Sequence, residues 1–206
     1  MRRADTSMMG KPAVTFAVEP LSDAFYADAK KLLARFGPGR ERSALLPLLH
    51  LVQSEHGFVS SQGLTEIAKL VGLTRAEVAG VASFYTMFKR TPQGTWLVSV
   101  CTQPSCAFVG GTEILRRLEE TLGISIGETT PDGMVSIEEV ECLCACDGAP
   151  VFTINYENYE RMSPEDAVAL VESLRDGATP PPGARGDVPE DFKRVSRRLS
   201  GVEAPR

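Results

Sequence analysis

The chain has 206 residues, of which 43% are hydrophobic and 24% are charged, and this length is typical of one or two compact domains with an apolar core. Its hydrophobic stretches are short and interrupted, which argues against a membrane-spanning helix and against direct membrane insertion. A net charge of −5 disfavours nucleic acid as a partner, and five cysteines are too few for a disulfide scaffold.

The N-terminal part of the chain is predicted to be helical. Residues 1–20 show no steady period and are interpreted as a tail. Residues 21–91 then contain four helical patterns, of which the first follows the N-cap residue Ser22 and the fourth begins at a capping box formed by Thr74 and Glu77. Each pattern places apolar residues on one stripe, for example Phe25, Ala29, Leu32 and Phe36 in the first. These patterns predict a helical bundle domain.

Residues 92–176 alternate between strand and helix patterns. Strand patterns lie at 95–101, 135–140 and 151–154, and helical patterns lie at 111–122 and after Ser163. This order predicts a small sheet with helices packed on it, and the whole chain is therefore assigned to the α+β class. Every cysteine of the chain lies in this second domain.

The C-terminal segment, residues 177–206, is rich in proline and glycine, poor in apolar residues and more basic than acidic. Such a composition is typical of a solvated tail or of a tail that docks on a partner, and we expect most of it to be solvated. Residues 191–199 are the part of this tail that could form a short docking helix.

The cysteines form two groups, each of which follows a predicted strand: Cys101 and Cys106, then Cys142, Cys144 and Cys146. Loops at strand ends can meet above one edge of a sheet, so four of these thiols can form a single site.

Three chemistries are compatible with cysteines in principle. A 2Fe-2S cluster needs four thiolates and backbone amides that donate to sulfur, and the small residues around both groups allow such a close approach. A structural zinc ion is also compatible with the observed spacing. Thiol-disulfide exchange is disfavoured, because it normally uses Cys-x-x-Cys at a helix start and the chain contains no such pair.

Four segments of the chain resemble one known family: GVASFYTMF at 80–88, VSVCTQPSC at 98–106, GETTPDGMVSIEEVECLCACDGAP at 127–150 and YERMSPED at 159–166. They are similar to the thioredoxin-like 2Fe-2S subunit of respiratory complex I, the NADH-quinone oxidoreductase of bacteria. The resemblance covers about residues 22–175. It implies that a thioredoxin-like 2Fe-2S ferredoxin domain follows the helical bundle.

The resemblance also implies a cofactor and partners. One 2Fe-2S cluster per chain would be held by Cys101, Cys106, Cys142 and Cys146. The helical region would pack against the FMN- and NADH-binding subunit, whose FMN exchanges one electron with the cluster. Other subunits of the peripheral arm would lie nearby, on the cytoplasmic side of the bacterial inner membrane.

The sequence departs from this family at Cys144, where the family usually has glycine. Spacing alone leaves the ligand set ambiguous, because three thiols crowd one loop. Matching to the family motif leaves Cys144 as an extra thiol that points away from the iron, and the alternative is a substitute ligand or an S–H donor.

Two other interpretations remain beside this one. Soluble NAD-reducing hydrogenases and NAD-dependent formate dehydrogenases contain subunits similar to this chain. A zinc-stabilised interaction domain without a redox role is the alternative from a different class. No glycine-rich dinucleotide fingerprint follows any predicted strand, so we expect the chain to have no NADH or flavin site and no catalytic residue of its own.

Overall fold

The computed structural model describes residues 16 and 18–203, and the predicted N-terminal tail, residues 1–20, lies almost entirely outside them. The helices are α1 (Asp23–Ala34), α2 (Leu45–His56), α3 (Ser61–Val71), α4 (Arg75–Phe84), α5 (Pro104–Ala107), α6 (Gly111–Leu122), α7 (Pro164–Arg175) and α8 (Phe192–Leu199). The strands are β1 (Trp96–Cys101), β2 (Val135–Val140), β3 (Val151–Ile154) and β4 (Glu157–Glu160). Short 3-10 helices span Glu41–Ala44 and Cys146–Gly148. Among the described residues, no helix is long and apolar enough to cross a membrane.

Helices α1 to α4 form the predicted bundle around a common apolar core. Helix α2 contacts both α1 and α3, and its Leu48, Leu49 and Val52 are fully buried. The hydroxyl of Ser22 caps α1, and Thr74 caps α4 through the predicted capping box. The caps satisfy amides that a helix start leaves unpaired, so local sequence signals define where these helices begin.

The second half of the chain is organised by a four-stranded sheet with the order β2-β1-β3-β4. Strand β1 runs parallel to β2 and antiparallel to β3, and β4 pairs antiparallel to β3. Helices α6 and α7 pack together on one face of the sheet, where Val98, Ile114 and Val171 are fully buried. The three predicted strands and two predicted helices are present, and the α+β class is confirmed.

The opposite face of the sheet is polar and lies against the segment that follows α4. Lys89 in this segment pairs with Glu138 of β2, with 2.6 Å between Nζ and Oε2. Glu138 also accepts the hydroxyl of Ser99 on β1. Because both charged side chains are largely buried, this ion pair fixes the end of the bundle segment on the sheet.

The sequence pattern does not predict strand β4. Its four residues, ENYE, include a single buried side chain, Tyr159, whose ring stacks on Phe152 of β3 with 5.4 Å between the ring centroids. A short edge strand of this kind lacks the apolar alternation by which strands are recognised.

The expectation of a largely solvated C-terminal tail is wrong for its last part, although most residues of 177–191 are exposed. Helix α8 packs on α2 and buries Phe192, Val195 and Ser196. The hydroxyl of Ser196 accepts a hydrogen bond from Gln53 Nε2 at 3.2 Å. The short docking helix predicted for residues 191–199 is therefore confirmed, and it docks on the bundle of its own chain.

Candidate metal centre

The sheet topology brings the two cysteine groups to one edge. Cys101 is the last residue of β1, and the loop that carries Cys142 and Cys146 follows β2. The two strands are parallel neighbours, and Cys101 is in register with Val140, the last residue of β2. Loops that leave neighbouring parallel strands start from the same edge of a sheet, so the predicted meeting of the two groups is observed.

Cys101 and Cys106 form the buried half of the site. Their side chains are 1% and 2% exposed and pack with Ala145 and Val151. Burial raises the pKa of Cys106 to about 11, the backbone amide of Val151 opposes the rise, and the neighbouring Cys101 thiol adds to it. A buried thiol of this kind ionises when a bound cation compensates its charge, which suits metal ligation.

Helix α6 begins directly behind this buried pair because Gly111 permits a close approach. A Cβ at Gly111 would lie 2.5 Å from the carbonyl oxygen of Cys101 and 3.0 Å from that of Cys106. The N-terminal end of the α6 dipole therefore lies against the cysteine loop, where its partial positive charge stabilises a negatively charged group.

Cys142 and Cys146 form the exposed half of the site, and their sulfur atoms are 3.5 Å apart. The amide of Cys144 donates to the Cys142 sulfur at 3.3 Å and thereby lowers the pKa of Cys142. The hydrogen bond shared with Cys142 raises the pKa of Cys146, while a hydrogen bond with the Ser105 hydroxyl opposes that rise.

Contacts across the site connect its two halves. Charge on Cys101 raises the pKa of Cys146, and charge on Cys146 raises the pKa of Cys106. The hydroxyl of Ser105 in the first loop also forms a hydrogen bond with Cys146 in the second. Across the described part of the chain, no group of three or more histidine, cysteine or acidic side chains is arranged around a single metal position. The four sulfurs form two pairs, because Cys142 and Cys146 lie 3.5 Å apart and Cys106 shares a hydrogen bond with Cys101.

Two pairs of thiols fit a 2Fe-2S cluster better than a zinc ion. A 2Fe-2S cluster takes four cysteine thiolates shared between two irons, whereas structural zinc gathers four ligands around one point. The hydrogen-bond donors that reach sulfur also fit, because such donors stabilise and tune iron-sulfur clusters. They are the amides of Cys144 and Val151 and the hydroxyl of Ser105.

Cys144 occupies a left-handed backbone position, with a φ of 58°. Glycine adopts this conformation without steric cost, which explains why the resemblance predicts a glycine here. The Cys144 sulfur lies 3.7 Å from the carbonyl oxygen of Cys142, to which it donates, and the side chain is exposed. The residue contributes its backbone amide to the site, and its thiol is bonded within its own turn.

The sequence interpretation missed the donors to sulfur and the contacts around Asp147. An amide is present at nearly every residue, so only the folded loop shows which amides point at sulfur. Asp147 follows Cys146 directly and pairs with Arg185, which lies in the segment predicted to be solvated. No sequence motif marks Arg185, because its role depends on where the chain passes after α7.

Comparisons with known proteins agree with this geometry. The family model described as thioredoxin-like [2Fe-2S] ferredoxin matches residues 29–175. The chain is 49% identical over 179 residues to a subunit of the NADH-quinone oxidoreductase of Mycobacterium tuberculosis, a match that covers 87% of this chain and 70% of the relative. It is 42% identical over 158 residues to NADH-quinone oxidoreductase subunit 2 of Thermus thermophilus, covering 74% of this chain and 87% of the relative.

A solved structure with a similar fold is an NAD+-reducing [NiFe]-hydrogenase in the H2-reduced state. The TM-score is 0.58 at 25% identity, and the match covers 65% of this chain but only 22% of the hydrogenase chain. The family match, in contrast, runs from within α1 to the end of α7 and includes both cysteine groups. It confirms the predicted 2Fe-2S cofactor, and the chain belongs to the thioredoxin-like [2Fe-2S] ferredoxin family.

Proposed function

We propose that this chain is the electron-transfer subunit of an NADH-quinone oxidoreductase and that Cys101, Cys106, Cys142 and Cys146 hold its 2Fe-2S cluster. The observation that carries this proposal is the meeting of two cysteine pairs at one sheet edge. The relatives named as subunits of that enzyme support the choice of parent complex. The bound cluster supplies one-electron transfer, and no side chain of this subunit makes or breaks a bond.

The residues of the chain control the environment of the cluster. The buried pair Cys101 and Cys106 keeps water from one side, and the N-terminal end of α6 stabilises negative charge there. Amide and hydroxyl donors at sulfur favour the reduced state, whereas the carboxylate of Glu139 near the end of β2 opposes it. The exposed loop of Cys142 leaves the other side open to an electron donor.

The partner in this proposal is the subunit that binds NADH and FMN, together with other subunits of the peripheral arm on the cytoplasmic side of the bacterial inner membrane. Exposed apolar side chains support such a partner. Phe84 and Tyr85 at the end of α4 are 78% and 45% exposed, and Phe108, two residues after Cys106, is 89% exposed. Aromatic residues that a monomer leaves in water are typical of protein interfaces.

Anaerobic purification through a tag on this chain, followed by NADH addition and low-temperature EPR, tests the proposal. We expect a flavin-containing, membrane-associated complex to co-purify and a 2Fe-2S signal to appear on reduction with NADH. A chain that purifies without a flavoprotein, or whose cluster is never reduced by NADH, contradicts the proposal.

The same experiment addresses a second candidate, a subunit of an NAD-reducing hydrogenase or of an NAD-dependent formate dehydrogenase. The similarity to the hydrogenase structure favours this candidate, although it covers less of the chain than the NADH-quinone oxidoreductase relatives do. Co-purification with nickel- or molybdenum-containing subunits instead of quinone-reducing ones would establish it.

A further inference from the structure

The segment between α7 and α8 lies along the edge strand β4. We define residues 178–191 as the C-terminal strap. Within it, the carbonyl of Pro181 accepts the hydroxyl of Tyr159 at 2.6 Å, and the amide of Ala184 donates to the carbonyl of Asn158 at 2.6 Å. A Cβ on Gly183 would lie 3.1 Å from that same carbonyl oxygen. The strap therefore lies close against the β4 backbone, and its glycine permits this approach.

The path of the strap along β4 places Arg185 beside the loop that contains Cys146. Nη2 of Arg185 donates to both carboxylate oxygens of Asp147, at 2.8 Å and 2.7 Å. The same guanidinium also binds Glu160, through Nε and through Nη2, with 3.2 Å between Nη2 and Oε2. Asp147 is the residue next to Cys146, so the guanidinium holds the cysteine loop to the end of β4.

Glu160 is the second carboxylate that Arg185 binds, and it packs against the cysteine loop. A Cβ on Gly148 would lie 2.1 Å from Glu160 Oε2, so the Glu160 carboxylate lies directly against the loop backbone. Glu160 is only 12% exposed, and the single positive charge of Arg185 faces both its carboxylate and that of Asp147. Without the guanidinium, two carboxylates would face each other across the turn that carries Cys146.

Arg161 holds the same turn from the other side. Its guanidinium donates to the carbonyl of Asp147 at 2.9 Å. Its amide donates to the carbonyls of Gly148 and Pro150, at 2.9 Å and 3.0 Å. A half-exposed ion pair alone contributes little, but a guanidinium that bridges two carboxylates within such a network fixes geometry.

We propose that Arg185 is a positioning residue for the cluster loop. It holds the Cys146–Gly148 turn through Asp147 and Glu160, and it keeps one fixed positive charge beside the cluster. The inference rests on the proposed function, because it takes Cys146 as a ligand. It assigns a role in electron transfer to a segment that contains no cysteine.

The test uses the full chain with its 2Fe-2S cluster and the variants Arg185→Gln and Arg185→Lys. The matched control is Arg175→Gln, because Arg175 is similarly exposed and pairs with Asp132 at 2.6 Å. Asp132 precedes β2 whereas Cys142 follows it, so the control pair lies one strand length, about 20 Å, from the cysteine loop. Two measurements are made on each protein. The first is the amide hydrogen exchange of residues 146–148 and Arg161, and the second is an EPR-monitored redox titration of the cluster.

We expect Arg185→Gln to speed exchange in the turn by roughly two- to fivefold and to lower the reduction potential, because a positive charge is lost. Arg185→Lys restores the potential but not the protection, because lysine lacks the planar fork. Arg175→Gln changes neither. The inference is overturned if Arg185→Gln matches the control in exchange, whatever the potential does. Failure of the proposed function is distinct: the wild-type chain would lack iron and sulfide, or Cys146→Ser would keep an unaltered cluster.

Discussion

The helical bundle and the cysteine-bearing domain differ in how their backbones turn. In the described part of the bundle, every residue with a left-handed backbone is a glycine, such as Gly57 and Gly72, which end α2 and α3. The non-glycine residues in this conformation all lie within residues 144–161, and they are Cys144, Asn155, Tyr156 and Arg161. Left-handed backbone costs such residues free energy. Cys144 lies in the cysteine loop and Arg161 is hydrogen-bonded to it, whereas Asn155 and Tyr156 form the turn between β3 and β4.

The bundle and the immediate surroundings of the cysteines also differ in what stabilises them. The bundle buries a large apolar core, whereas the buried group around the cysteines contains little beyond Cys101, Cys106, Ala145 and Val151. Such a small core contributes little free energy, so the bound cluster must supply order that the bundle obtains from packing. We therefore predict that changes at the cysteines affect the site and leave the bundle folded.

The largest expected effect comes from replacing each proposed ligand by serine. Cys101→Ser, Cys106→Ser, Cys142→Ser and Cys146→Ser should each abolish or strongly alter the 2Fe-2S absorption and EPR signals. Helical circular dichroism from the bundle should persist, since its core lies elsewhere. Cys144→Ser is the matched control and should keep the cluster. A ligand variant with a wild-type signal would remove that cysteine from the set.

Phe192→Ala tests whether the C-terminal helix belongs to the bundle. Phe192 is 1% exposed, and truncation of a buried phenylalanine costs about 3–5 kcal/mol. Urea unfolding followed by circular dichroism measures the loss. Leu199→Ala on the same helix is the control, because Leu199 is 41% exposed and its truncation should cost well under half as much. Equal, small losses of stability in both variants would show that this helix does not contribute to the core of the bundle.

Acid should weaken the bundle through His50. Burial lowers the pKa of His50 to about 4, whereas an unfolded chain protonates histidine near 6.5. The unfolded state therefore gains the proton first, so stability is intact above about pH 6.5 and decreases as the pH falls towards 4, by up to about 3 kcal/mol. Urea midpoints at pH 7 and pH 4.5 measure this. His50→Gln should flatten the difference, and parallel pH profiles for both proteins would contradict the assignment.

Two helical glycines offer a direct contrast between the regions. A Cβ on Gly80 in α4 would meet no described atom within 4 Å, so Gly80→Ala should stabilise the chain by about 0.5–1 kcal/mol. Gly111→Ala places a methyl group 2.5 Å from the Cys101 carbonyl oxygen and should cost about 1–3 kcal/mol and weaken cluster retention. Thermal unfolding and iron content measure both effects. Stabilisation by Gly111→Ala would show that the close approach of α6 is unnecessary.

A small effect is also expected at Cys144. Cys144→Gly should relieve the left-handed position and stabilise the chain by about 1 kcal/mol, while the cluster spectrum stays unchanged. Unfolding curves and EPR spectra of the two proteins provide the measurement. Loss of the cluster in this variant would mean that the Cys144 thiol is a ligand.

Sequence periodicity predicts most of the fold because the relevant signals are local. The Ser22 and Thr74 caps and the apolar stripes define the bundle, and the cysteine spacing identifies the site. The pattern fails where contacts are distant in sequence. Helix α8 has too few apolar residues to be predicted as part of the core, although Phe192 and Val195 are buried on α2. Arg185 is important through Asp147, which lies 38 residues earlier in the chain.

Low-temperature EPR of the dithionite-reduced full chain, with iron, sulfide and zinc assayed on the same anaerobic sample, tests the central claim most directly. We predict a rhombic S = 1/2 signal with about two irons and two sulfides per chain. An EPR-silent sample that contains zinc and no iron would contradict it.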